Sequence, residues 1–173
     1  EFPMGVINNG IAQHGGLKVF GATFFVFSDY ERPAIRLRAL QGLSVVSEYT
    51  HDSIYVGEDG PTHQPIEHLM ACRTIPNLLV IRPGDANEAV IASKMAFEQI
   101  DQPALVLLTR QGLPVFDRTI YPPADNIRRG GYIMKDCEGE PEVVILGTGS
   151  EVWVALEARN ILKDIRIRVV NLA

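Results

Sequence analysis

The sequence has few features that would mark a secreted, membrane-spanning or nucleic-acid-binding protein. Only two of its 173 residues are cysteines, Cys72 and Cys137, and their spacing fits neither a metal site nor a redox motif. No apolar run approaches the roughly 20 residues that a membrane-spanning helix needs. The net charge of −5 leaves no excess of Lys and Arg for binding a nucleic acid. These absences predict a cytoplasmic protein without nucleic-acid or membrane partners, in which Cys72 is a buried thiol.

Short apolar runs alternate with segments of helical periodicity along most of the chain. The runs 77–82 (NLLVIR) and 103–109 (PALVLLT) are apolar on both faces, which is typical of parallel strands that are covered on both sides. Asp85 and Glu88 form a capping-box-like pattern before the helix that follows the first run. The predicted fold class is therefore α/β, an open and mostly parallel sheet with helices on both faces, followed by a partial second α/β domain.

Periodicity and turn residues also predict the extent of each element. Helices are predicted at 4–13, 32–41, 64–75 and 151–162, and strands at 18–22, 43–49, 77–82, 103–109, 142–146 and 165–170. The stretch from 113 to 131 is rich in Pro and Gly and has no sustained periodicity, so it predicts a linker. The βαβ unit after it is too small to bury its own faces. Because the chain has no initiator Met and stops after a strand-like run, we expect it to be cut at both ends.

The stretch THDSIYVGEDGPTHQP, residues 50–65, concentrates polar groups between a predicted strand and a predicted helix, where open α/β folds bind ligands. It contains two histidines and three acidic residues: His51, His63, Asp52, Glu58 and Asp59. A metal site formed by these groups together with His68 is one interpretation. No pair has the His-x-x-x-His spacing of hydrolytic zinc sites, so we predict no metal site in the chain. We expect His68 to be a solvated helix residue and His14 a loop or helix-end residue.

These segments resemble the transketolase family. THDSIYVGEDGPTHQP, GLKVFGATFFVFSDY, LLVIRPGDANE and LVLLTRQGLP match segments of that family in the same order and at similar intervals. The opening EFPMG resembles the family's Glu-His-Ala-Met-Gly motif, with Phe2 and Pro3 in place of His and Ala. By this resemblance, residues 1–115 are a truncated middle, pyrimidine-binding domain of the thiamine diphosphate-binding fold. Residues 116–131 are a linker, and 132–173 begin a truncated C-terminal domain.

The resemblance implies a transferase that uses thiamine diphosphate. It moves a two-carbon ketol unit from a ketose phosphate to an aldose phosphate, as in the pentose phosphate pathway or the Calvin cycle. In the family the cofactor spans two subunits of a homodimer. Its diphosphate and a divalent metal, Mg or Ca, are held by a domain that this chain does not match. The isolated chain is therefore expected to be inactive.

The resemblance assigns four residues to the cofactor. Glu1 matches the catalytic glutamate, which hydrogen-bonds a pyrimidine ring nitrogen and so promotes loss of a proton from the thiazolium ring. Phe24, Phe27 and Tyr30 match the aromatic pocket of the pyrimidine, with Phe27 as the stacking residue. From spacing alone, these aromatic residues would instead be ordinary core.

Four more residues match substrate contacts. His51 and His63 match two catalytic histidines, which can stabilise negative charge on the substrate oxygen and relay a proton. Asp59 matches the aspartate that binds the sugar's C2 hydroxyl. Arg110 matches the arginine that binds the substrate phosphate, a task that suits a planar guanidinium. Tyr55 stands where the family has a small residue, often Gly. A ring at this position is expected to narrow the substrate channel and so to affect which acceptor sugars are preferred.

Two alternatives stay open. One is a related ketol transferase such as dihydroxyacetone synthase, which keeps the cofactor and changes the substrates; the THDSI segment and Arg110 argue against deoxyxylulose phosphate synthase. The other is a non-catalytic fragment or assembly module, which binds a partner chain and turns nothing over. The segment 147–150 (GTGS) lacks the lysine of a phosphate-binding P-loop, so Ser150 is predicted to be an N-cap and the segment is given no function.

Overall fold

The computed structural model describes all residues from 1 to 173. The helices are α1 (Phe2–His14), α2 (Ser28–Gln41), α3 (His68–Arg73), α4 (Ala86–Glu98) and α5 (Glu151–Ile161). The strands are β1 (Val19–Phe24), β2 (Val45–Thr50), β3 (Leu79–Ile81), β4 (Ala104–Leu108), β5 (Gly131–Lys135), β6 (Val143–Gly147) and β7 (Ile167–Leu172). The chain forms two compact units, residues 1–81 with 93–111 and residues 82–92 with 112–173. None of the helices combines the length and apolar character that crossing a bilayer requires.

The first unit is built on a four-stranded sheet in the order β1-β2-β4-β3. Every neighbouring pair in it is parallel. The register places Phe24 of β1 beside Thr50 of β2, and Thr50 beside Leu108 of β4. The carboxyl ends of three neighbouring strands therefore lie side by side, and the prediction of a parallel sheet is confirmed.

Helices lie on opposite faces of this sheet. On β2, Ser47 accepts a hydrogen bond from Arg38 of α2 at 2.8 Å, whereas the next residue, Glu48, accepts one from Ser93 of α4 at 3.2 Å. Successive side chains of a strand point to opposite faces, so α2 and α4 cover different sides. Residues 104–107 of the central strand β4 are accordingly all buried, which confirms the predicted double coverage.

A buried polar network joins α1, α2 and β2. The Arg38 guanidinium pairs with Glu31 at 2.5 Å and also donates to the Gly5 carbonyl and to Asn9 Oδ1 on α1. The Tyr49 hydroxyl donates to the other Glu31 oxygen at 2.6 Å. Burial, followed by the Glu31 charge, raises the pKa of Tyr49 well above its ordinary value. The network attaches the first turns of α1 to the sheet, and thereby sets where residue 1 lies.

One apolar cluster of the first unit lies between the sheet and the helices on the α2 side. Its buried members are Phe25, Ile35, Tyr49, Cys72, Leu105 and Leu107. The prediction that Cys72 is a buried thiol is confirmed. Burial raises the pKa of this thiol to about 11.

The second unit has a three-stranded sheet in the order β5-β7-β6. β6 and β7 run parallel, whereas β5 is antiparallel to β7. The predicted strand–helix–strand unit is confirmed, but β5 was not predicted. Phe116 and Ile127, inside the predicted linker, are buried in this unit, and the Phe116 ring stacks on Trp153 at 4.5 Å. Ser150 occupies the N-cap position of α5, although its hydroxyl donates to the Glu151 side chain and accepts no backbone N–H.

Buried charges in the second unit support the start of α4. Asp85 Oδ1 accepts the Glu88 backbone N–H at 2.9 Å, which confirms the predicted capping pattern. Arg118 pairs with the same Asp85 oxygen at 2.8 Å. Asn171 and the Tyr132 hydroxyl both donate to the Glu88 carboxylate. Burial and the Glu88 hydrogen bond raise the pKa of Tyr132 to about 12.

The other predicted elements lie within two residues of the observed ends, except for two helices. The helix predicted for 64–75 is the shorter α3, because Pro65 holds the residue before it in extended backbone and delays the helix start. The helix predicted from Arg32 already begins at Ser28. Two acidic residues in its first turn complement the positive end of the helix dipole there.

Candidate active site

Residues from three separate segments meet at one edge of the parallel sheet. β1 ends at Phe24, His51 follows the last residue of β2, and Arg110 lies two residues beyond β4. The Asp52 backbone N–H donates to the Leu108 carbonyl at 3.3 Å, which continues the alignment past the strand ends. The sheet therefore brings together side chains that are far apart in sequence, as open α/β folds do at their ligand sites.

Two phenylalanines and two histidines form a cluster at this edge. The rings of Phe24 and His51 are stacked with centroids 3.9 Å apart. Phe24 and Phe27 lie nearly parallel, 3° between their planes and 6.1 Å between their centroids. His63 approaches Phe27 edge-on at 5.3 Å. The cluster presents flat apolar faces beside two imidazoles.

A threonine neighbour orients each imidazole. His51 Nδ1 lies 2.9 Å from Thr50 Oγ1, and His63 Nδ1 lies 3.0 Å from Thr62 Oγ1. The Nε2 atoms have no hydrogen-bond partner in the protein, so they are available to a ligand. His51 also has a φ of 63°, a left-handed conformation that is uncommon outside glycine. Strained backbone of this kind concentrates at functional sites.

Glu1 lies at the start of α1, next to the cluster. Its carboxylate accepts a hydrogen bond from Thr23 Oγ1 at 3.2 Å, and Thr23 directly precedes Phe24 on β1. The Glu1 carbonyl accepts the Gly5 N–H at 2.9 Å, which continues the first turn of α1. The carboxyl group is thus exposed and within reach of a ring placed against Phe24.

Arg110 is held by the loop that precedes His63. Its guanidinium pairs with Glu58 at 3.3 Å, with side-chain exposures of 41% for Arg110 and 85% for Glu58. Gly57 lies so close that a Cβ built on it would be 3.3 Å from the guanidinium Nη1. Arg110 therefore packs against the backbone of this loop, and part of its side chain remains exposed to solvent.

Two predicted site residues lie at the margin. Tyr30 is 64% exposed, and its ring is 5.9 Å from that of Phe27. Asp59 is exposed in a turn and makes no hydrogen bond or ion pair with the protein. Tyr55 is partly exposed in a 3₁₀ turn, Ile54–Val56, whose neighbour Val56 is buried. The structure thus brings Phe24, Phe27, His51 and His63 into contact with one another, with Tyr30 beside Phe27. Glu1 is held through Thr23, and Arg110 through Gly57 and Glu58.

The prediction for His68 is wrong, whereas that for His14 is confirmed. His14 is exposed and ends α1. His68 is only 4% exposed and packs edge-on against Phe25, because α3 turns this side chain towards the core. Its Nε2 lies 3.1 Å from an Asp29 oxygen and its Nδ1 lies 3.8 Å from a Glu67 oxygen. Nε2 therefore joins α3 to Asp29 of α2, and one oxygen or nitrogen atom each from Asp29, Glu67 and His68 lies within 4.8 Å of the other two.

Sequence reasoning missed the residues that support this site. Thr23, Thr50 and Thr62 each precede or contact a predicted site residue, and Gly57 and Glu58 support Arg110. A threonine directly before each histidine was visible in the sequence. The pairing of Glu58 with Arg110 was not visible, because it depends on the loop passing the end of β4.

Two family models match successive parts of the chain. The family described as "Transketolase, pyrimidine binding domain" matches residues 1–115, and the "Transketolase-like TK C-terminal domain" matches residues 130–173. A transketolase of Aquifex aeolicus is 52% identical over 175 aligned residues, which cover 100% of this chain and 25% of that protein. The chain thus spans about a quarter of the length of the curated relatives it matches.

Solved structures have the same fold. A Pichia stipitis transketolase in complex with sedoheptulose 7-phosphate has a TM-score of 0.90 and 42% identity, covering 97% of this chain and 25% of that one. A split-gene transketolase, described as an inactive β4 tetramer, has a TM-score of 0.77 and 30% identity, covering 99% of this chain and 53% of that one.

Proposed function

The chain belongs to the transketolase family, and we propose that it supplies the pyrimidine side of a thiamine diphosphate site together with contacts to a sugar phosphate. The reaction would move a two-carbon ketol unit from a ketose phosphate to an aldose phosphate. The observation that supports this most is the convergence of Glu1, the Phe24–Phe27 pair, two imidazoles and a guanidinium at one sheet edge. No single segment of the sequence would place these groups together.

The residues at this edge fit the aminopyrimidine of the cofactor. The nearly parallel rings of Phe24 and Phe27 offer faces to a flat heteroaromatic ring, and Phe27 is our choice for the stacking residue, with Tyr30 in support. Glu1, fixed by Thr23, can hydrogen-bond a ring nitrogen from the side. When bound, the cofactor supplies the nucleophilic carbon needed to break a carbon–carbon bond beside a carbonyl. Its diphosphate and its Mg²⁺ or Ca²⁺ are proposed to bind residues outside these 173.

The two histidines would act on the oxygens of the sugar. Both present an unpaired Nε2, because their Nδ1 atoms face threonine hydroxyls. An imidazole N–H can donate to the carbonyl oxygen of the ketose as negative charge develops there. A neutral imidazole nitrogen can also accept a proton, so either ring can take the hydroxyl proton that is lost when the bond breaks. His51 and His63 are therefore proposed as the catalytic residues that contact substrate.

Arg110 and Asp59 would recognise the ends of the sugar. The Arg110 guanidinium is partly exposed and can offer paired N–H groups to a phosphate. Asp59 is exposed on the same loop as His63 and is proposed to accept a hydrogen bond from the C2 hydroxyl. The solved relative that contains sedoheptulose 7-phosphate supports a sugar phosphate as the substrate class.

A homodimer is part of the same proposal. The helix that carries Glu1 exposes several apolar side chains: Phe2, Val6, Ile7 and Ile11. Contiguous exposed apolar residues are typical of a surface that another subunit covers. A cytoplasmic location is proposed as well, on the evidence that both cysteines are free thiols.

A chimera tests the proposal. This chain would replace the corresponding segment of the Aquifex aeolicus transketolase, to which it is 52% identical. Transfer from a ketose phosphate to an aldose phosphate that requires thiamine diphosphate is the expected result. A chimera that folds and dimerises, as judged by circular dichroism and ultracentrifugation, but transfers nothing would overturn the proposal.

A second candidate function is that of an assembly module without activity of its own. The split-gene relative, described as an inactive β4 tetramer, favours it. In that case the chain would associate with a partner that holds the diphosphate half of the site. Purified alone, the chain is expected to self-associate and to show no transfer. Thiamine-dependent turnover by the 173-residue chain alone would exclude this candidate.

A further inference from the structure

We propose that Glu58 sets the affinity of the site for phosphate by competing for the Arg110 guanidinium. This inference rests on the proposed function, because it takes Arg110 to be the phosphate-binding residue. Glu58 is a positioning residue here and has no part in bond making. In the absence of substrate its carboxylate accepts a hydrogen bond from one guanidinium nitrogen, Nη2, and the phosphate of the sugar must displace it or bind beside it.

The geometry of the pair is that of a weak, replaceable contact. A single nitrogen, Arg110 Nη2, approaches a single oxygen, Glu58 Oε1, at 3.3 Å. A bidentate arginine–carboxylate pair would make two shorter, parallel bonds. Both side chains are open to solvent, at 41% and 85% exposure. Exposed pairs of this kind contribute little stability, so the carboxylate can yield to a stronger anion.

Gly57 holds the backbone of Glu58 close to the Arg110 guanidinium. It has a φ of 89° and lies against the guanidinium, so that even a methyl group there would be 3.3 Å from Nη1. The backbone of the loop thus closes one side of Arg110, and the next residue, Glu58, reaches its Nη2. The loop conformation thus keeps the Glu58 backbone beside the guanidinium, while the exposed side chain can still rotate away from it.

Charge repulsion gives Glu58 an effect even if it stays in place. A sugar phosphate carries between one and two negative charges at neutral pH. When it binds Arg110, it comes within several ångströms of the Glu58 carboxylate. Like charges at such distances repel, and salt screens the repulsion where both are exposed. Glu58 therefore weakens phosphate binding and favours release of the phosphorylated product.

The test compares Glu58→Gln with Glu67→Gln in the Aquifex chimera. Glu67 is a matched control because it lies in the same segment, is 73% exposed and faces His68 instead of Arg110. For each variant we would measure KM for a phosphorylated ketose donor and for a ketol donor that carries no phosphate. The ratio of the two KM values is expected to shift two- to fivefold in favour of the phosphorylated donor in Glu58→Gln, the size typical of an exposed ion pair. The shift should shrink at high salt, and Glu67→Gln should leave the ratio unchanged.

A ratio that stays constant in Glu58→Gln, or that shifts against the phosphorylated donor, would overturn the inference. Arg110→Ala separates this failure from a failure of the proposed function. If Arg110→Ala abolishes the preference for phosphorylated donors while Glu58→Gln has no effect, only the role of Glu58 is wrong. The 173-residue chain offers a readout without turnover: inorganic phosphate should shift the Arg110 Nε–H resonance at lower concentration in Glu58→Gln, with sodium chloride as the ionic-strength control.

Discussion

The rings of Phe24 and His51 are stacked, with centroids 3.9 Å apart and planes 23° apart. The contact joins the ends of two parallel strands, β1 and β2, which the sheet register already places side by side. It also gives a reason for the left-handed backbone at His51, since the chain turns there as the strand ends and the ring comes to lie on Phe24. The strained backbone of His51 thus coincides with the stacking of its ring on Phe24.

We expect this stacking to appear as a coupling energy. In a double-mutant cycle with Phe24→Leu and His51→Ala, the two rings should couple by about 0.5 to 1.5 kcal/mol. Urea unfolding of the chain and its three variants measures it. The pair Phe20 and Phe97, an edge contact at 6.2 Å in the same unit, offers a comparison cycle. Additive effects of Phe24 and His51 would show that the stacking contributes nothing.

Glu1→Gln should lower turnover of the chimera by a factor of about 100 or more, because the amide cannot exchange a proton with the pyrimidine nitrogen. The substitution keeps the size of the side chain and the hydrogen bond from Thr23, so cofactor affinity should change much less. Steady-state kinetics with thiamine diphosphate titrations separate the two effects. Glu157→Gln, on the exposed side of α5, is the control and should remain fully active. Near-normal turnover in Glu1→Gln would remove the role proposed for this residue.

The parts of the fold that could be predicted from sequence are those governed by local pattern. Residues 103–109, apolar up to Leu108, predicted a doubly covered strand, and β4 is one. Strand β5 was missed because its apolar run is only three residues long, Tyr132 to Met134, and directly follows two glycines. So short a run cannot be distinguished from a loop by its sequence pattern. His68 was misjudged because the six-residue helix α3 is too short for its buried face to be read from periodicity.

In the candidate site, too, some features could be predicted from local sequence and others depend on the fold. Its ring and imidazole residues came from segments that resemble a family, and the structure places Phe24, Phe27, His51 and His63 in contact. The contacts that support Glu1 and Arg110 could not be predicted, because each joins segments that are distant in sequence and brought together only by the fold. Thr23 reaches Glu1 over 22 residues, and Glu58 reaches Arg110 over 52.

The buried pair of Glu31 and Arg38 should behave differently in single and double variants. Arg38→Met leaves the Glu31 carboxylate buried with only Tyr49 as a partner, so we expect a loss of about 3 to 5 kcal/mol of unfolding free energy. Replacing both residues, Glu31→Leu with Arg38→Met, should restore most of that loss, since apolar groups need no partners in the core. Urea unfolding measures both. A double variant that is less stable than Arg38→Met alone would contradict this account of the network.

Cys72 should make stability fall at high pH. Burial raises the pKa of its thiol from 9.0 to about 11, so the folded chain holds this proton more tightly than the unfolded chain does. The stabilisation is complete below about pH 9 and is lost as the pH rises to about 11, by about 2 to 3 kcal/mol in total. Cys72→Ala lacks the thiol and should not show this part of the fall. The difference between the two pH profiles isolates Cys72 from tyrosines and lysines that titrate in the same range. Parallel profiles would show that the thiol does not titrate on unfolding.

Gly57 and Gly60 form a natural pair for testing how Arg110 is held. Both have a left-handed φ, 89° and 84°, so an alanine at either position imposes a similar backbone strain. Only at Gly57 would the added methyl group meet Arg110, at 3.3 Å; at Gly60 nothing lies within 4 Å. Because the guanidinium ends a flexible side chain, we expect it to move away from the loop rather than the loop to unfold.

The chimera with Gly57→Ala should therefore raise KM for a phosphorylated donor several-fold more than the chimera with Gly60→Ala does. The two variants should lose similar amounts of stability, about 1 to 3 kcal/mol each, as measured by urea unfolding. Equal stability with unequal KM would show that the loop backbone positions Arg110 for the phosphate. Equal changes in both quantities would mean that the strain alone accounts for the effect, and that Arg110 finds its place without Gly57.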